Sequence, residues 1–224
     1  MKNSPQRLNQ ITKRLRGHRV GVVGDLMLDR YLWGTASRLS PEAAVPVVDF
    51  VEQSECLGGA GNVAANLAAL GARVELFGVT GEDEAAGALK RCLTALGVAA
   101  KGLLGDASRP TTVKTRIIAR HQQVVRVDRE SRAALAKEVE ERLIRRVKVG
   151  VAALDALVIS DYDKGAVTEA LVAHDSTATH VYSLGVLAYH LLTGHTPFED
   201  GEPVQLMLKH IPEIPPPMRT FEVG

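Results

Sequence analysis

Four short segments carry residue types that could do chemistry on a polar ligand. The first is Leu57-Gly58-Gly59-Ala60-Gly61-Asn62, which runs into an Ala/Leu-rich stretch. Glycines at a helix start let a ligand approach backbone N–H groups, and the positive end of the helix dipole favours an oxygen-rich ligand. Gly59, Gly61 and Ala64 also fit a dinucleotide-type GxGxxA pattern. That pattern needs a buried strand immediately before it, and Val51 to Leu57 reads as a poor one. Sugar contact therefore ranks first, close packing of the helix start second and a dinucleotide third. The second segment holds Asp25 and Asp29 around Leu26-Met27-Leu28, just after an apolar run. Carboxylates at the carboxyl end of a strand lie where open α/β sheets bind ligands, and they suit vicinal sugar hydroxyls. For Asp25 alone, capping of the next element is the stronger reading.

The third segment spans 111–128. With a period of two, Thr112, Lys114 and Arg116 share one face, and Arg126 and Asp128 share a face with Val124. Such a basic face could clamp a phosphate, because arginine offers a planar fork of donors; a solvated edge strand is the competing reading. In the fourth, Ser160 to Gly165, Asp161 and Lys164 are candidates for polar work near a phosphate, against a plain turn ended by Gly165. Cys56 and Cys92, with no CxxC spacing, suit reduced thiols better than a disulfide or a metal site.

An alternation of strands and helices must position these residues. Apolar runs predict strands at 19–24, 46–51, 72–79 and 156–160, and helices at 62–70, 82–96 and 132–153. The stretches 111–119 and 124–128 predict a hairpin around Arg120 to Gln123. This order implies an α/β fold, with a largely parallel sheet flanked by helices, a small β-hairpin lid and a short helical tail.

The 224 residues carry 27 basic and 26 acidic side chains, a net charge of +1, so no long-range field argues for nucleic acid or a membrane surface. No stretch approaches the roughly 18 apolar residues of a membrane span. The basic first 24 residues lack a signal peptide's apolar region, which predicts a solvated lead-in helix and a cytoplasmic protein. Composition shifts sharply along the chain. Seventeen of 18 arginines lie at or before Arg146, whereas five of seven histidines lie between His174 and His210. The expected organisation is therefore one unit over 1–172, a junction at 173–178 and a distinct fragment over 179–224.

Taken together and in this order, the four segments resemble the ribokinase-like carbohydrate kinases, also called the phosphofructokinase B type, over about residues 15–172. Val23 to Val48 and Lys114 to Asp128 are similar to the bacterial heptose-7-phosphate kinases within that family. The resemblance implies that Asp25, Asp29, Gly58, Gly59 and Asn62 line a sugar pocket, with the hairpin bearing Lys114, Arg116 and Arg126 closing over it. It implies ATP and Mg2+ as cofactors, a small-molecule sugar phosphate as partner, and pairing of two chains through the lid hairpin. The family's catalytic Asp ends a Gly-Ala-Gly-Asp segment, absent here; the one Gly-Ala-Gly, at 59–61, precedes Asn62. The expectation is a sugar-phosphate kinase by ancestry that does not turn over, because phosphoryl transfer rests on positioning and charge stabilisation. The alternatives are a sugar-phosphate-binding module and a fusion of two kinase fragments.

The tail, His180 to Phe198 and on to Pro217, resembles part of a Ser/Thr protein-kinase C-lobe, read as a helix over 181–192 and another around 204–210. None of the other motifs that protein-kinase catalysis requires is present, so protein phosphorylation is set aside. If the strand at 156–160 belongs mid-sheet, its second edge needs a partner and would otherwise favour aggregation.

Overall fold

The computed structural model describes residues 15–120 and 122–173. The lead-in helix predicted before residue 15, the predicted junction beyond residue 173 and the two predicted tail helices lie outside the described residues. In chain order the elements are strands β1 (Arg19–Gly24), β2 (Leu26–Leu39) and β3 (Pro46–Gly59), helix α1 (Ala60–Ala69), strand β4 (Arg73–Thr80) and helix α2 (Glu84–Ala95). Strands β5 (Ala99–Gly105), β6 (Thr112–Ala119) and β7 (Gln122–Arg129) follow, then helix α3 (Lys137–Val151), strand β8 (Ala156–Ser160) and a short helix α4 (Glu169–Ala173).

The first sheet is parallel, in the order β5-β4-β1-β8. Strands β1 and β8 are nearly continuous apolar runs, as suits strands between helix-covered faces. Val22 pairs with Leu76 and Val23 with Phe77, and neighbouring residues of a strand point to opposite faces. Val22 and Leu76 accordingly join one core with Leu67, Leu89 and Leu93 from α1 and α2. Val23 and Phe77 join the other with Val139, Leu143 and Val147 from α3. The 3.6-residue period of α3 places those three residues on one stripe.

Helix α2 begins where Asp83 accepts a hydrogen bond from Ala86 N at 3.0 Å. Helix α3 starts at Lys137, five residues later than its charge pattern predicts. Before it, the Ala133 carbonyl is taken by the Arg109 guanidinium at 2.7 Å, outside any helical ladder.

The lid is larger than a hairpin. A second sheet, ordered β3-β2-β6-β7, pairs β2 with β3 and β6 with β7 antiparallel and β2 with β6 parallel. The strand predicted at 46–51 continues to Gly59, and β2 and β5 add to the predicted set. At its root, Leu28, Leu57 and Val113 enter the core shared with α1 and α2. Among the described residues no helix is long and apolar enough to cross a membrane.

Leu143 is 1% exposed, so Leu143→Ala is expected to cost about 2–5 kcal/mol in urea unfolding of the whole chain. Val149→Ala, at an 80% exposed position of the same helix, is expected to stay within about 0.5 kcal/mol of the parent.

Candidate functional site

Strand pairing brings the basic residues of β6 and β7 onto one face with an acid of β2. Asp29 lies opposite Lys114, and Tyr31 opposite Arg116. Lys114 in turn faces Asp128, and Arg116 faces Arg126. The alternation read from the sequence therefore holds, and it extends across three strands. Arg116 Nη1 lies 2.5 Å from Asp29 Oδ1, and its guanidinium carbon stands 5.4 Å from the centre of the Tyr31 ring. The hydrogen bond to Asp29 lifts the Arg116 guanidinium above its ordinary value. Arg126 grips Asp128 with two bonds, of 2.9 and 3.0 Å, while Lys114 Nζ reaches Asp128 Oδ2 at 3.1 Å. The Arg126 bonds, aided by Lys114, hold the Asp128 carboxyl below the usual carboxylate range against the effect of burial.

The glycines serve close approach as well as any ligand. A Cβ on Gly58 would lie 2.7 Å from Asp29 Oδ2, so only glycine leaves that carboxylate its place. Gly59 has φ +55°, and a Cβ there would meet the Asp25 carbonyl oxygen at 2.4 Å. That carbonyl accepts from Ala60 N at 2.9 Å, fixing the start of α1. The glycines arrive from β3, an antiparallel and mostly exposed strand, unlike the buried parallel strand of a dinucleotide motif. Asn62, in the first turn of α1, is exposed.

Asp25 sits at the end of β1 and is 1% exposed. Its Oδ2 accepts from Tyr162 N at 2.7 Å and Lys164 N at 3.1 Å, and its Oδ1 accepts from Ala166 N at 3.1 Å. Burial pushes its carboxyl up despite these three donors. The carboxylate thus holds the turn after β8. Within that turn Asp161 is exposed and accepts from Asp163 N, whereas Lys164 points inward. Between the turn and the strand ends lies a crevice of about 20 Å³, room for one water-sized group, lined in part by Asp25, Arg109, Thr112 and Lys164. Among the described residues no group of three or more His, Cys, Asp or Glu could hold a metal ion.

Residues 18–184 match the pfkB family of carbohydrate kinases. The chain belongs to that family. The bifunctional protein HldE of Pelobacter propionicus is 44% identical over 180 residues, which cover 80% of this chain and 37% of that protein. Its namesake in Desulfatibacillum aliphaticivorans is 48% identical over 154 residues, 69% of this chain and 32% of that protein. The chain thus spans about a third of the length of these curated relatives. In fold it is similar to phosphofructokinase-2 of Escherichia coli, solved with substrates and products, with a TM-score of 0.55 at 19% identity over 71% of this chain and 50% of that one.

Two acidic residues of this pfkB-family chain escape motif reading and tie the lid sheet to the body. Glu130, just past β7, accepts from Arg132 Nε at 2.9 Å and Lys164 Nζ at 3.1 Å, with Lys114 Nζ 3.5 Å away. Asp83, besides capping α2, accepts from Thr111 N at 3.1 Å and Thr111 Oγ1 at 2.7 Å, and Arg129 Nη2 lies 3.3 Å from it. Each looks like one more charge in a charged run; only the position of the partner strands distinguishes them.

Burial pushes the Asp83 carboxyl up, but the Thr111 hydroxyl, the Ala86 and Thr111 N–H groups and Arg129 together hold it below the usual carboxylate range. A depressed carboxylate adds stability above its unfolded value, near 3.8, and that stability is lost as pH falls through the folded value. Asp83→Ala is therefore expected to cost about 1–2 kcal/mol at pH 7 from the cap alone, with the gap to the parent closing in strong acid. Urea unfolding at a series of pH values checks both the size and the direction.

Proposed function

We propose that residues 15–173 form the acceptor-binding side of a sugar-phosphate kinase, with heptose 7-phosphate as the acceptor. The observation that carries this reading is the single face of Asp29, Lys114, Arg116 and Arg126, fixed by strand register. Asp29 Oδ1 is oriented by Arg116, which leaves Oδ2, over Gly58, to accept from a pair of sugar hydroxyls. Tyr31 and Trp33, stacked 6.0 Å apart, extend this face with apolar ring surface against which the C–H side of a sugar can lie. Gly58, Gly59 and Asn62 present the start of α1. Lys114 and Lys164 take the phosphate, with Arg126 and Asp161 at the rim. Asp25 acts beneath the pocket by holding the turn that carries Lys164.

ATP with Mg2+ would supply the transferred phosphoryl group. The 224 residues contain no Gly-Ala-Gly-Asp segment, so binding without turnover is the proposed activity of this chain by itself. A second copy is the proposed protein partner. Val125 and Val127 of the lid, 45% and 55% exposed, give two lids an apolar surface on which to pair. The cytoplasm is the proposed setting.

Calorimetry with heptose 7-phosphate tests the acceptor reading, and an assay for ADP tests turnover. Asp29→Asn is expected to weaken binding about 10- to 100-fold, the worth of hydrogen bonds to a charged group. Gly58→Ala is expected to weaken it as well, because its Cβ displaces the Asp29 carboxylate. Unchanged affinity in both variants would remove Asp29 from the pocket, and ADP formed only with the sugar present would overturn the claim of binding without turnover.

A further inference from the structure

Lys114 rises from the lid sheet and Lys164 from the turn beyond β8 in the parallel sheet, yet both ammonium groups converge on Glu130. All three side chains are largely buried, with 17%, 12% and 13% exposed. Glu130 Oε1 accepts from Arg132 and Lys164, whereas Oε2 is buried and has no hydrogen-bond partner among the described residues. The Lys114 ammonium lies 3.5 Å from that oxygen, too far for the 2.7–2.9 Å expected of a charge-assisted bond. A buried oxygen left open beside a cation costs free energy that a native fold seldom tolerates without a use.

The local charge balance points the same way. Within 4 Å, Lys114, Arg126, Arg132 and Lys164 share Asp128 and Glu130, two carboxylates among four cations, with Asp163 farther from Arg132. Arg126 and Arg132 are 49% and 71% exposed, so water screens them. The two lysines, which are mostly shielded, carry the excess. A phosphate offsets this excess, and its three acceptor oxygens match two ammonium groups with unused donors.

We propose that Glu130 is an internal counter-ion that holds Lys114 and Lys164 in place of the acceptor's phosphate and yields them when that phosphate binds. This deepens the sugar-phosphate reading and rests on it for the identity of the acceptor. Without Glu130 the two lysines would repel each other across the junction of lid and body. With it they stay close, and an entering phosphate has to compete with its carboxylate. Glu130 thereby sets the selectivity for phosphorylated over unphosphorylated sugars. Because one lysine belongs to the lid sheet and the other to the turn after β8, taking the phosphate also fixes the lid relative to the body.

The test is calorimetry on the whole chain with three probes: heptose 7-phosphate, the unphosphorylated heptose and inorganic phosphate. Glu130→Gln keeps the shape and the Arg132 and Lys164 contacts but removes the competing charge. It is expected to bind inorganic phosphate and heptose 7-phosphate about tenfold tighter, as relief of one nearby like charge predicts, while heptose affinity stays put. Lys114→Met and Lys164→Met are expected to bring the two sugars toward equal affinity. A Glu130→Gln variant whose phosphate affinity is unchanged or weaker overturns the proposal. Should that variant fail to fold, the parent protein decides by NMR: inorganic phosphate is expected to shift the side-chain signals of Lys114, Lys164 and Glu130 together, and a phosphate titration that leaves them still overturns it. If phosphate binding follows the predicted pattern but neither sugar binds, the acceptor reading fails while the counter-ion stands. If the sugars bind but the ratio between them ignores Glu130, the acceptor reading stands and the counter-ion fails.

Discussion

A carboxylate removed from water is costly unless it is fully hydrogen-bonded, and Asp25 meets that condition with backbone alone. Three N–H groups of residues 162–166 converge on its two oxygens, while its own carbonyl receives the first N–H of α1. One residue thereby joins the end of β1, the entry to the Gly-rich helix and the turn beyond β8. These pieces lie far apart in sequence, and they define the floor of the candidate pocket. The inward path of Lys164 follows from the same turn, so Glu130 and the lid depend on Asp25 at one remove. An amide at this position would turn an N–H toward at least one of the backbone donors, which makes Asp and Asn unequal here despite their shape.

The lid is held in two different ways along its length. Its root is apolar: Leu28, Leu57 and Val113 share the core of α1 and α2. Farther out, β7 is exposed along its whole length, and ion pairs across the strands, with Arg126–Asp128 along β7, dominate the inner face. Partly exposed pairs add little to stability, and their worth lies in geometry. Arg116 sets the direction of Asp29, and Arg126 with Lys114 sets that of Asp128. An inner face built this way is ordered before any ligand arrives, which lowers the conformational cost of binding.

Much of this was legible in the sequence, and what was not has physical reasons. Strands β1 and β8 were read to the residue because parallel strands covered on both faces are unbroken apolar runs. The period of two placed Lys114 with Arg116 and Arg126 with Asp128 without knowledge of any partner strand, and the register then put the two pairs on one face. Strand β2 went unread because Leu28, Arg30 and Leu32 alternate with Asp29, Tyr31 and Trp33, and half of a lid strand is wet on both sides. Asp25 was visible as an acid at a strand end. That its oxygens serve the backbone of residues 162–166 could not be seen, because backbone donors carry no residue identity. Glu130 sits in Arg129-Glu130-Ser131-Arg132, a string that reads as a solvated face. Its importance arises only when Lys114 and Lys164 reach it from the lid sheet and the turn after β8.

The division between apolar root and charged inner face also bears on the proposed acceptor-binding role. Moving a lid that is fastened by apolar packing exposes area to water, at about 25 cal/mol for each Å². Moving one fastened by exchangeable charges exposes little, and a ligand of suitable charge replaces the lost pairs directly. The root of β2 and β6 thus keeps the lid attached, while Lys114, Asp128 and Glu130 leave the bond between its inner face and the body open to exchange. In such an arrangement recognition of a charged substituent and placement of the lid would be one event, because the proposed role gives both to the same two lysines. That coupling needs no hinge sequence and no special loop. It needs only that one cation come from the lid sheet and one from the turn after β8, both close to the same acid, as Lys114 and Lys164 are to Glu130.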